Sequence, residues 1–173
     1  MAGQLVQVAT ETVTSTTSVV NLLGINDNSV YMLAINNVNN TSQGSVKARV
    51  IKASDSSDDS TSNYDSAWKG LRTSTTFSNQ SNTNSTEFNA LTWSQGSASV
   101  DTAQGIFYLY NFFDSSEYSF MTFEGLAFGF SGSELLSAMG GGVHTVAQSN
   151  SGIQLRATTP NFESGTFTLY RCV

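Results

Sequence analysis

The sequence has few charged residues, one proline and one cysteine, and the shortages of charge and of cysteine each exclude a class of protein. Charged residues make up 12% of the 173 residues, and the formal net charge is −6. Proteins bind phosphate backbones through clustered Lys and Arg, so we do not expect this acidic chain to bind nucleic acid. The only cysteine, Cys172, excludes an intrachain disulfide.

Long apolar runs are also missing. No segment approaches the roughly 18 consecutive apolar residues of a membrane-spanning helix. The first cation is Lys47, so the N-terminal stretch lacks the basic start of a secretory signal. We therefore expect no signal peptide and no membrane insertion.

Uncharged polar residues are abundant instead. Ser, Thr and Asn make up more than a third of the chain, beside 39% hydrophobic and 11% aromatic residues. That much apolar material predicts a packed core instead of a disordered chain. The length predicts a single domain over residues 1–173. A surface of hydroxyls and amides is typical of subunits that pack against each other.

The most apolar stretch runs from Gly105 to Glu124. Its two apolar runs, Ile106–Phe113 and Tyr118–Phe123, flank the polar turn Asp114–Glu117. Aromatic and β-branched residues on either side of a short polar gap predict a β-hairpin. Because the first run is apolar on both faces, we expect it to be covered on both sides, in the centre of a sandwich or against a neighbouring subunit.

The rest of the chain alternates between short apolar segments and polar connections. Together with the hairpin, the segments predict an all-β antiparallel sandwich of jelly-roll-like topology, with at most one or two short helices. The pattern leaves Tyr64–Leu71 open as a strand or a helical turn. The further predicted strands are Gln4–Val13, Val19–Leu23, Ser29–Ile35, Ser45–Ala53, Thr73–Phe77, Thr86–Trp93, Val143–Ala147, Gly152–Ala157 and Gly165–Val173.

Polar connections and one helix complete the predicted organisation. Ser133 is placed to cap a short helix, Glu134–Met139, which Gly140 would end. The predicted connections are the loops Asn36–Gln43, Ser54–Asn63, Ser78–Ser85 and Gln95–Ser99 and the flexible link Gly125–Gly132. The side chains predicted to be buried are Phe107, Leu109, Phe120, Ile153, Leu155, Phe167 and Leu169.

One loop has part of a calcium-binding pattern. Asp55, Ser57 and Asp59 have the 1-3-5 spacing of a calcium loop, but Ser60 stands where Gly is needed and Ser66 where Glu is needed. The pattern therefore predicts a solvated loop. We expect no metal and no cofactor.

Catalytic motifs are incomplete throughout. The sole histidine, His144, and the distant Cys172 cannot form a metal site without carboxylates, so a structural role is expected for His144. Gly129–Ser133 resembles a nucleophile elbow but has Ser at its final position, where Gly is needed. The glycines Gly140–Gly142 lack the Lys of a phosphate loop. We predict no catalytic residues.

Two side-chain sets leave carbohydrate chemistry open. Asp114, Glu117 and Glu124 could supply a carboxylate pair for glycoside hydrolysis, although the first two have the pattern of turn residues. Aromatic residues that could stack on sugar rings, or equally anchor a subunit interface, are Tyr64, Trp68, Trp93 and Tyr118. The interface is favoured over the sugar site.

Four segments carry a family resemblance. They are LVQVATETVTSTTSVVNLLGI, VYMLAINNV, SNYDSAWKGLRTSTTFSN and SGTFTLYRCV. Together they resemble small virion structural proteins of marine T7-like cyanophages and related tailed bacteriophages. The resemblance implies a non-enzymatic β-sandwich subunit on the exterior of a virion that assembles in the host bacterial cytoplasm. It carries over no catalytic residues.

The resemblance leaves two positions on the virion open, the capsid and the tail. The chain has no heptad run and no repetitive shaft, and its predicted strands reach both ends, which favours a capsid decoration, cement or head-appendage subunit. The alternative is a short tail-fibre or receptor-binding tip that recognises a host surface glycan. The expected partners are further copies of the chain, with a trimer expected, and the major capsid or tail proteins. The hairpin or the regions around Trp68 and Trp93 are expected at subunit contacts.

Overall fold

A computed structural model describes residues 3–74, 77–89, 91–92, 100–130, 134–157 and 161–173, and of Phe130 only the backbone. The described residues contain no helix. They form eleven strands: β1 Leu5–Val13, β2 Val19–Leu23, β3 Tyr31–Asn40, β4 Val46–Lys52, β5 Tyr64–Arg72, β6 Ser78–Ser85, β7 Ala103–Tyr110, β8 Ser119–Phe130, β9 Glu134–His144, β10 Asn150–Ala157 and β11 Phe162–Cys172.

The strands form two antiparallel sheets of unequal size. The larger has the order β1-β11-β3-β7-β8-β9-β5-β6, and the smaller has the order β2-β10-β4. The predicted all-β antiparallel sandwich is confirmed. Strands from opposite ends of the chain are neighbours, because β1 pairs with β11 and β2 with β10.

The three-stranded sheet covers the inner face of the larger sheet. It is extended by residues 86–89 and 91–92, where Phe88 exchanges two backbone hydrogen bonds with Ala48. Phe88 is fully buried, and its ring packs edge-on against Tyr64 of β5 at 4.9 Å. Six of the seven side chains predicted to be buried lie in this core: Phe107, Leu109, Ile153, Leu155, Phe167 and Leu169.

The predicted helix is wrong. Glu134–Met139 begins β9, which pairs with β8 on one side and β5 on the other. Leu136 and Ala138 are buried, whereas Leu135 and Met139 are exposed, which is the two-residue alternation of a strand. Pairing with two neighbours outweighs the helix propensity of Leu, Ala and Met. The predicted cap, Ser133, lies outside the described residues.

Several predicted connections and strands are also wrong. Gly125–Phe130 continues β8, and Ser78–Ser85 is strand β6 at the edge of the large sheet. Residues 86–89 and 91–92, predicted as a strand, hold only an isolated bridge at Phe88, and Thr73 and Ser74 form a turn. Two further strands differ in extent from the prediction. The strand predicted to end at Ile35 is β3, which runs on to Asn40, and the strand predicted at Val143–Ala147 is the end of β9, which stops at His144. The predicted loop at residues 95–99 lies outside the described residues.

The aromatic hairpin forms, but it is covered on one face only. β7 lies between β3 and β8 in the middle of the large sheet. Phe107 and Leu109 are fully buried, whereas Ile106 is 48% exposed. Phe120, predicted to be buried, is 43% exposed, because it is an even-numbered residue of β8 and these point away from the small sheet.

Candidate functional site

The candidate site is the outer face of the large sheet, which points away from the three-stranded sheet. Directly paired residues of antiparallel strands point to the same side of a sheet. The pairing of Ile106 with Glu124, and of Glu124 with Met139, therefore places these three side chains in one row on the outer face. Leu126 with Ser137 and Phe128 with Leu135 continue this face along β8 and β9.

Large apolar side chains cover the middle of the outer face. Each is at least 39% exposed, and they come from the three adjacent strands β7, β8 and β9. We call this set the apolar patch: Ile106, Tyr108, Phe120, Leu126, Phe128, Leu135 and Met139. Scattered exposed apolar residues are ordinary on protein surfaces, but a contiguous patch is typical of an interaction site.

A groove of about 530 Å³ crosses the apolar patch. Ile106, Leu126 and Met139 line it on the apolar side, and Thr168 and Tyr170 of β11 contribute hydroxyl groups. The groove exists because the neighbouring strands carry short side chains there, such as Ala34 and Thr166. It is therefore a shallow depression in a sheet surface.

Two charged side chains lie in the same cross-strand row as Met139. Glu124 of β8 pairs with Met139 on one side, and Lys69 of β5 pairs with it on the other. Both charged residues are exposed. Within the described residues neither makes an ion pair, and the Lys69 ammonium group lies 5.6 Å from the centre of the Phe77 ring. A partner that covers the apolar patch must therefore accommodate both charges.

The outer surface of the small sheet is different in character. Lys47, Arg49 and Arg156 point away from the core and surround Glu87, at distances of 2.9, 3.8 and 3.4 Å. Arg49 also pairs with Asp58 at 2.7 Å. On the same strand, Val46, Ala48 and Val50 are buried on the core side. The molecule thus has one charged face and one apolar face.

His144 lies inside the sandwich and not at a surface site. It is fully buried at the end of β9, where its Nε2 atom lies 3.2 Å from a carboxylate oxygen of Asp59. Neither ring nitrogen has a well-aligned hydrogen-bond partner among the described residues. Burial lowers the pKa of His144, and the Asp59 carboxylate offsets this only in part. The neutral imidazole therefore packs as a core side chain, tilted against the Tyr64 ring at 4.6 Å.

Asp59 belongs to a network that ties the loop Ser54–Asn63 to the core. Burial raises its pKa, but hydrogen bonds from Thr61 and the proximity of His144 outweigh this and leave the pKa lowered. Thr61 bonds to Oδ1 of Asp59, and Oδ2, the oxygen beside His144, accepts a hydrogen bond from Gln148 at 3.3 Å. The backbone carbonyl of Asp59 accepts one from the Tyr64 hydroxyl at 2.7 Å. The loop is therefore only partly solvated, because Asp59 points inward.

The loop does not assemble a metal site within the part of the chain that the structure describes. No group of three His, Cys, Asp or Glu side chains there is arranged to hold an ion. Its other carboxylates already have donors: Asp55 accepts from Ser57 and pairs with Lys52, and Asp58 pairs with Arg49. Cys172 is half-buried on β11, far along the chain from these acids.

Of the aromatic residues that could stack on sugar rings, the three that the structure describes, Tyr64, Trp68 and Tyr118, do not form one exposed surface. Tyr64 is fully buried, and burial raises its pKa. Trp68 is half-buried against the core, and Tyr118 is 46% exposed beside the hairpin turn. Trp93 lies outside the described residues. Neither Trp68 nor Tyr64 can present a ring face to a ligand from this position.

Of the carboxylates that could serve glycoside hydrolysis, Glu124 lies apart from Asp114 and Glu117. Asp114 accepts hydrogen bonds from Ser116 in the hairpin turn, and Glu117 lies in the same turn. Glu124 lies in the middle of β8, five residues beyond Ser119, which corresponds to about 17 Å of extended strand. This exceeds the roughly 5–10 Å between the two carboxylates of a glycosidase.

The apolar patch was not predicted from the sequence as a surface. The sequence pattern predicts that Phe120 lies in the core. It places Leu126 and Phe128 in a flexible link, and Leu135 and Met139 in a short helix. A signal was present, since a strand that continues from Tyr118–Phe123 through residue 128 places Leu126 and Phe128 on the same side as Phe120. Alternation alone does not tell which of two apolar faces a second sheet covers.

Comparison with known proteins adds no relative. No protein-family model matches the chain, and no curated protein and no solved structure is significantly similar to it. Among the described residues, no helix is long and apolar enough to cross a bilayer.

Proposed function

We propose that the chain is a non-enzymatic structural subunit on the exterior of a bacteriophage particle, as a capsid decoration, cement or head-appendage protein. The apolar patch is the observation that carries the proposal. Seven large side chains from three adjacent strands are exposed on one face, while the opposite face is charged. Such a patch on a folded domain is typical of a surface that another protein covers.

The phage assignment depends on the sequence resemblance. The structure supports what any subunit of a particle requires. A particle subunit needs a rigid domain with a contact surface, and it needs no active site. The one histidine of the chain is buried, and the carboxylates of the hairpin are apart from Glu124. We propose further copies of the chain and the major capsid or tail proteins as the partners, and the virion as the location.

A short tail-fibre or receptor-binding tip is the second candidate, and the groove favours it. Thr166, Thr168, Tyr170 and Gln104 line the groove with hydroxyl and amide groups that suit the hydroxyls of a host surface glycan. A glycan-active enzyme has less support. Among the described residues that line the groove, Glu124 is the only carboxylate, and glycoside hydrolysis uses two.

The first experiment locates the protein on purified particles. Cryo-EM of wild-type particles and of particles assembled without this chain should differ by density on the head. Particles without it should also lose their genome at a lower temperature. Density at the tail tip, with unchanged heat stability of the head, would support the fibre tip instead.

The second experiment tests glycan recognition directly. The purified domain is applied to host cells and to an array of bacterial surface glycans, with Thr168→Val and Tyr170→Phe variants to remove two groove hydroxyls. A decoration protein should not bind and should not compete with phage adsorption. Saturable binding that both variants weaken would overturn decoration in favour of the tip.

A further inference from the structure

We infer that the apolar patch is covered by a second copy of this chain, packed face to face about a two-fold axis that runs along β9. This deepens the proposed function and rests on it only for the biological setting. The contact itself is argued from the sheet register. A face-to-face pair of identical sheets is related by a two-fold axis that lies in the plane between them.

The strand order places β9 in the centre of a symmetric set. The order β7-β8-β9-β5-β6 has two strands on either side of β9. Rotation about an axis along β9 puts β8 of one copy over β5 of the other and β7 over β6. The level along the strands is unchanged, so each cross-strand row faces the same row of the second copy.

The charges then become complementary. Glu124, Met139 and Lys69 form one row on β8, β9 and β5. Under this rotation Met139 meets its own copy, and Glu124 of each subunit faces Lys69 of the other. The contact contains two such ion pairs. It gives a partner to the two charged side chains that have no ion pair within the described part of the molecule.

Two further rows place apolar side chains opposite each other under the same axis, whereas Ile106, Tyr108 and Phe120 face the polar residues Asn79, Ser81 and Asp65 of the other copy. Leu126 and Leu71 both pair with Ser137, so Leu126 of each copy faces Leu71 of the other. Leu135 lies on the axis and meets its own copy. Gly141, also on β9, has no side chain and lets the two sheets approach closely. Aligned sheets pack about 10 Å apart and about 30° from parallel, so these contacts hold best near the axis.

Electrostatics distinguishes the two axes that bring the row of Met139 against its own copy. An axis across the strands at the level of Met139 would place Glu124 over Glu124 and Lys69 over Lys69. Like charges at an interface cost several kcal/mol, whereas opposite charges fix the register. The charge pattern therefore selects the axis along β9.

The area is sufficient for a stable pair. Five strands at about 4.8 Å spacing, over the roughly 27 Å length of the eight-residue strands β6 and β7, cover roughly 600 Å² per copy. Two copies bury about 1,200 Å² in total, the lower end of the range for specific interfaces. A two-fold contact gives a dimer, in place of the trimer expected from the sequence, because a trimer requires two different surfaces on each subunit.

The test uses charge reversal of the full chain, with mass measured by analytical ultracentrifugation over a range of concentrations. Lys69→Glu and Glu124→Lys should each weaken the dimer by roughly 100-fold or more, because each places two like-charged pairs at the contact. The double variant Lys69→Glu/Glu124→Lys should dimerise like the wild type. Lys52→Glu, which makes the same charge change outside the patch, is the control and should leave the dimer intact.

Mixing the two single variants gives the sharpest outcome. In the row of Met139 the Lys69→Glu subunit carries two acidic side chains, and the Glu124→Lys subunit carries two basic ones. All facing pairs are then complementary, so the mixture should form heterodimers although each variant alone is monomeric. Circular dichroism checks that both variants remain folded.

Other outcomes separate the dimer from the proposed function. A wild-type monomer, a trimer, or a dimer that neither reversal weakens would overturn the inference. A monomer still found on phage particles would leave the proposed function standing, whereas a charge-dependent dimer absent from particles would contradict the proposed function alone.

Discussion

Aromatic side chains on the two strands of the hairpin stand in different environments, and the energetic consequences of removing them differ accordingly. Phe107 is fully buried between the sheets, whereas Phe120 is 43% exposed on the outer face. We expect Phe107→Ala to lower the free energy of unfolding by about 3–5 kcal/mol, through lost burial and a cavity. Phe120→Ala should cost less than about 1 kcal/mol. Urea unfolding at concentrations too low for self-association measures both, and equal losses would contradict the assigned facing of β8.

His144 should make stability depend on pH near neutrality. Burial lowers its pKa below the ordinary value of 6.5, so the unfolded chain binds a proton more readily than the folded one. Stability is therefore complete above pH 6.5 and falls as the pH drops below it toward the folded-state pKa. Because this is the only histidine in the chain, His144→Gln should flatten that part of the profile.

The measurement is urea unfolding between pH 5 and pH 8 for the wild type and His144→Gln. The variant is expected to be less stable at pH 8, since the buried contact with Asp59 is lost, so the slope is compared and not the absolute value. Lowered pKa values of Asp59 and Asp114 take effect only below their ordinary value of 3.8 and do not overlap this range. An unchanged slope in the variant would show that His144 is not the titrating group.

At the scale of elements, two neighbouring glycines of β9, Gly140 and Gly141, differ in the space around them. A Cβ atom at Gly140 would lie 2.2 Å from the carbonyl oxygen of Ala67 and 2.6 Å from Cβ of Trp68. At Gly141 the nearest atom would be a carbonyl oxygen at 3.1 Å. Gly140→Ala should therefore destabilise the fold by about 2 kcal/mol or more through overpacking, and Gly141→Ala far less. Thermal melts of dilute protein compare the two, and equal shifts would contradict the close contact between β5 and β9.

The loop Ser54–Asn63 should hold its shape without a metal. Backbone and side-chain hydrogen bonds from Ser57, with Lys52 beside it, lower the pKa of Asp55 to about 2. Asp58 and Asp59 are occupied by Arg49 and by Thr61 and Gln148. We expect the melting temperature to be the same in EDTA and in millimolar Ca²⁺. A rise with Ca²⁺ that Asp55→Asn removes would contradict this.

Two kinds of pattern identified the strands that the sequence predicted well. β4 and β10 alternate between apolar residues that point to the core and polar residues that point away from it, and β2 is a short apolar run that ends at Gly24. The polar edge strand Ser78–Ser85 has no buried face and thus no periodic signal. The segment Glu134–Met139 has helix-forming residues and is a strand because β8 and β5 pair with it.

The candidate site was harder to predict than the fold. The sequence indicated that the hairpin would reach a subunit contact, but it did not separate Phe107 from Phe120. Which face a second sheet covers is decided by residues far away in the chain, such as Ile153 and Leu155 of β10 and Phe88. The row of Glu124 and Lys69 depends on the register of three strands that are distant in sequence.

At the scale of the whole molecule, strands from the two ends of the chain meet inside one sheet. β11 lies between β1 and β3, and β10 lies between β2 and β4. Such pairings must form across long stretches of chain, which makes folding slow, on the order of milliseconds to seconds. They also distribute stability unevenly, because a central strand supports two neighbours and an edge strand supports one.

The last prediction follows from this unevenness. β1 is an edge strand with mostly exposed side chains, whereas β11 contributes the fully buried Phe162, Phe167 and Leu169. Deleting residues 162–173 should abolish cooperative unfolding, because β1 and β3 lose their shared neighbour and the core loses three large side chains. Deleting residues 1–13 should leave a folded domain with a lower melting temperature, since the pairing of β1 with the neighbouring β11 is lost but the core loses only the side chains of Val8, Ala9 and Val13 among the described residues. Circular dichroism and urea unfolding of both truncations give the comparison. A cooperative transition without β11, or its loss without β1, would mean that the large sheet is not organised around its central strands.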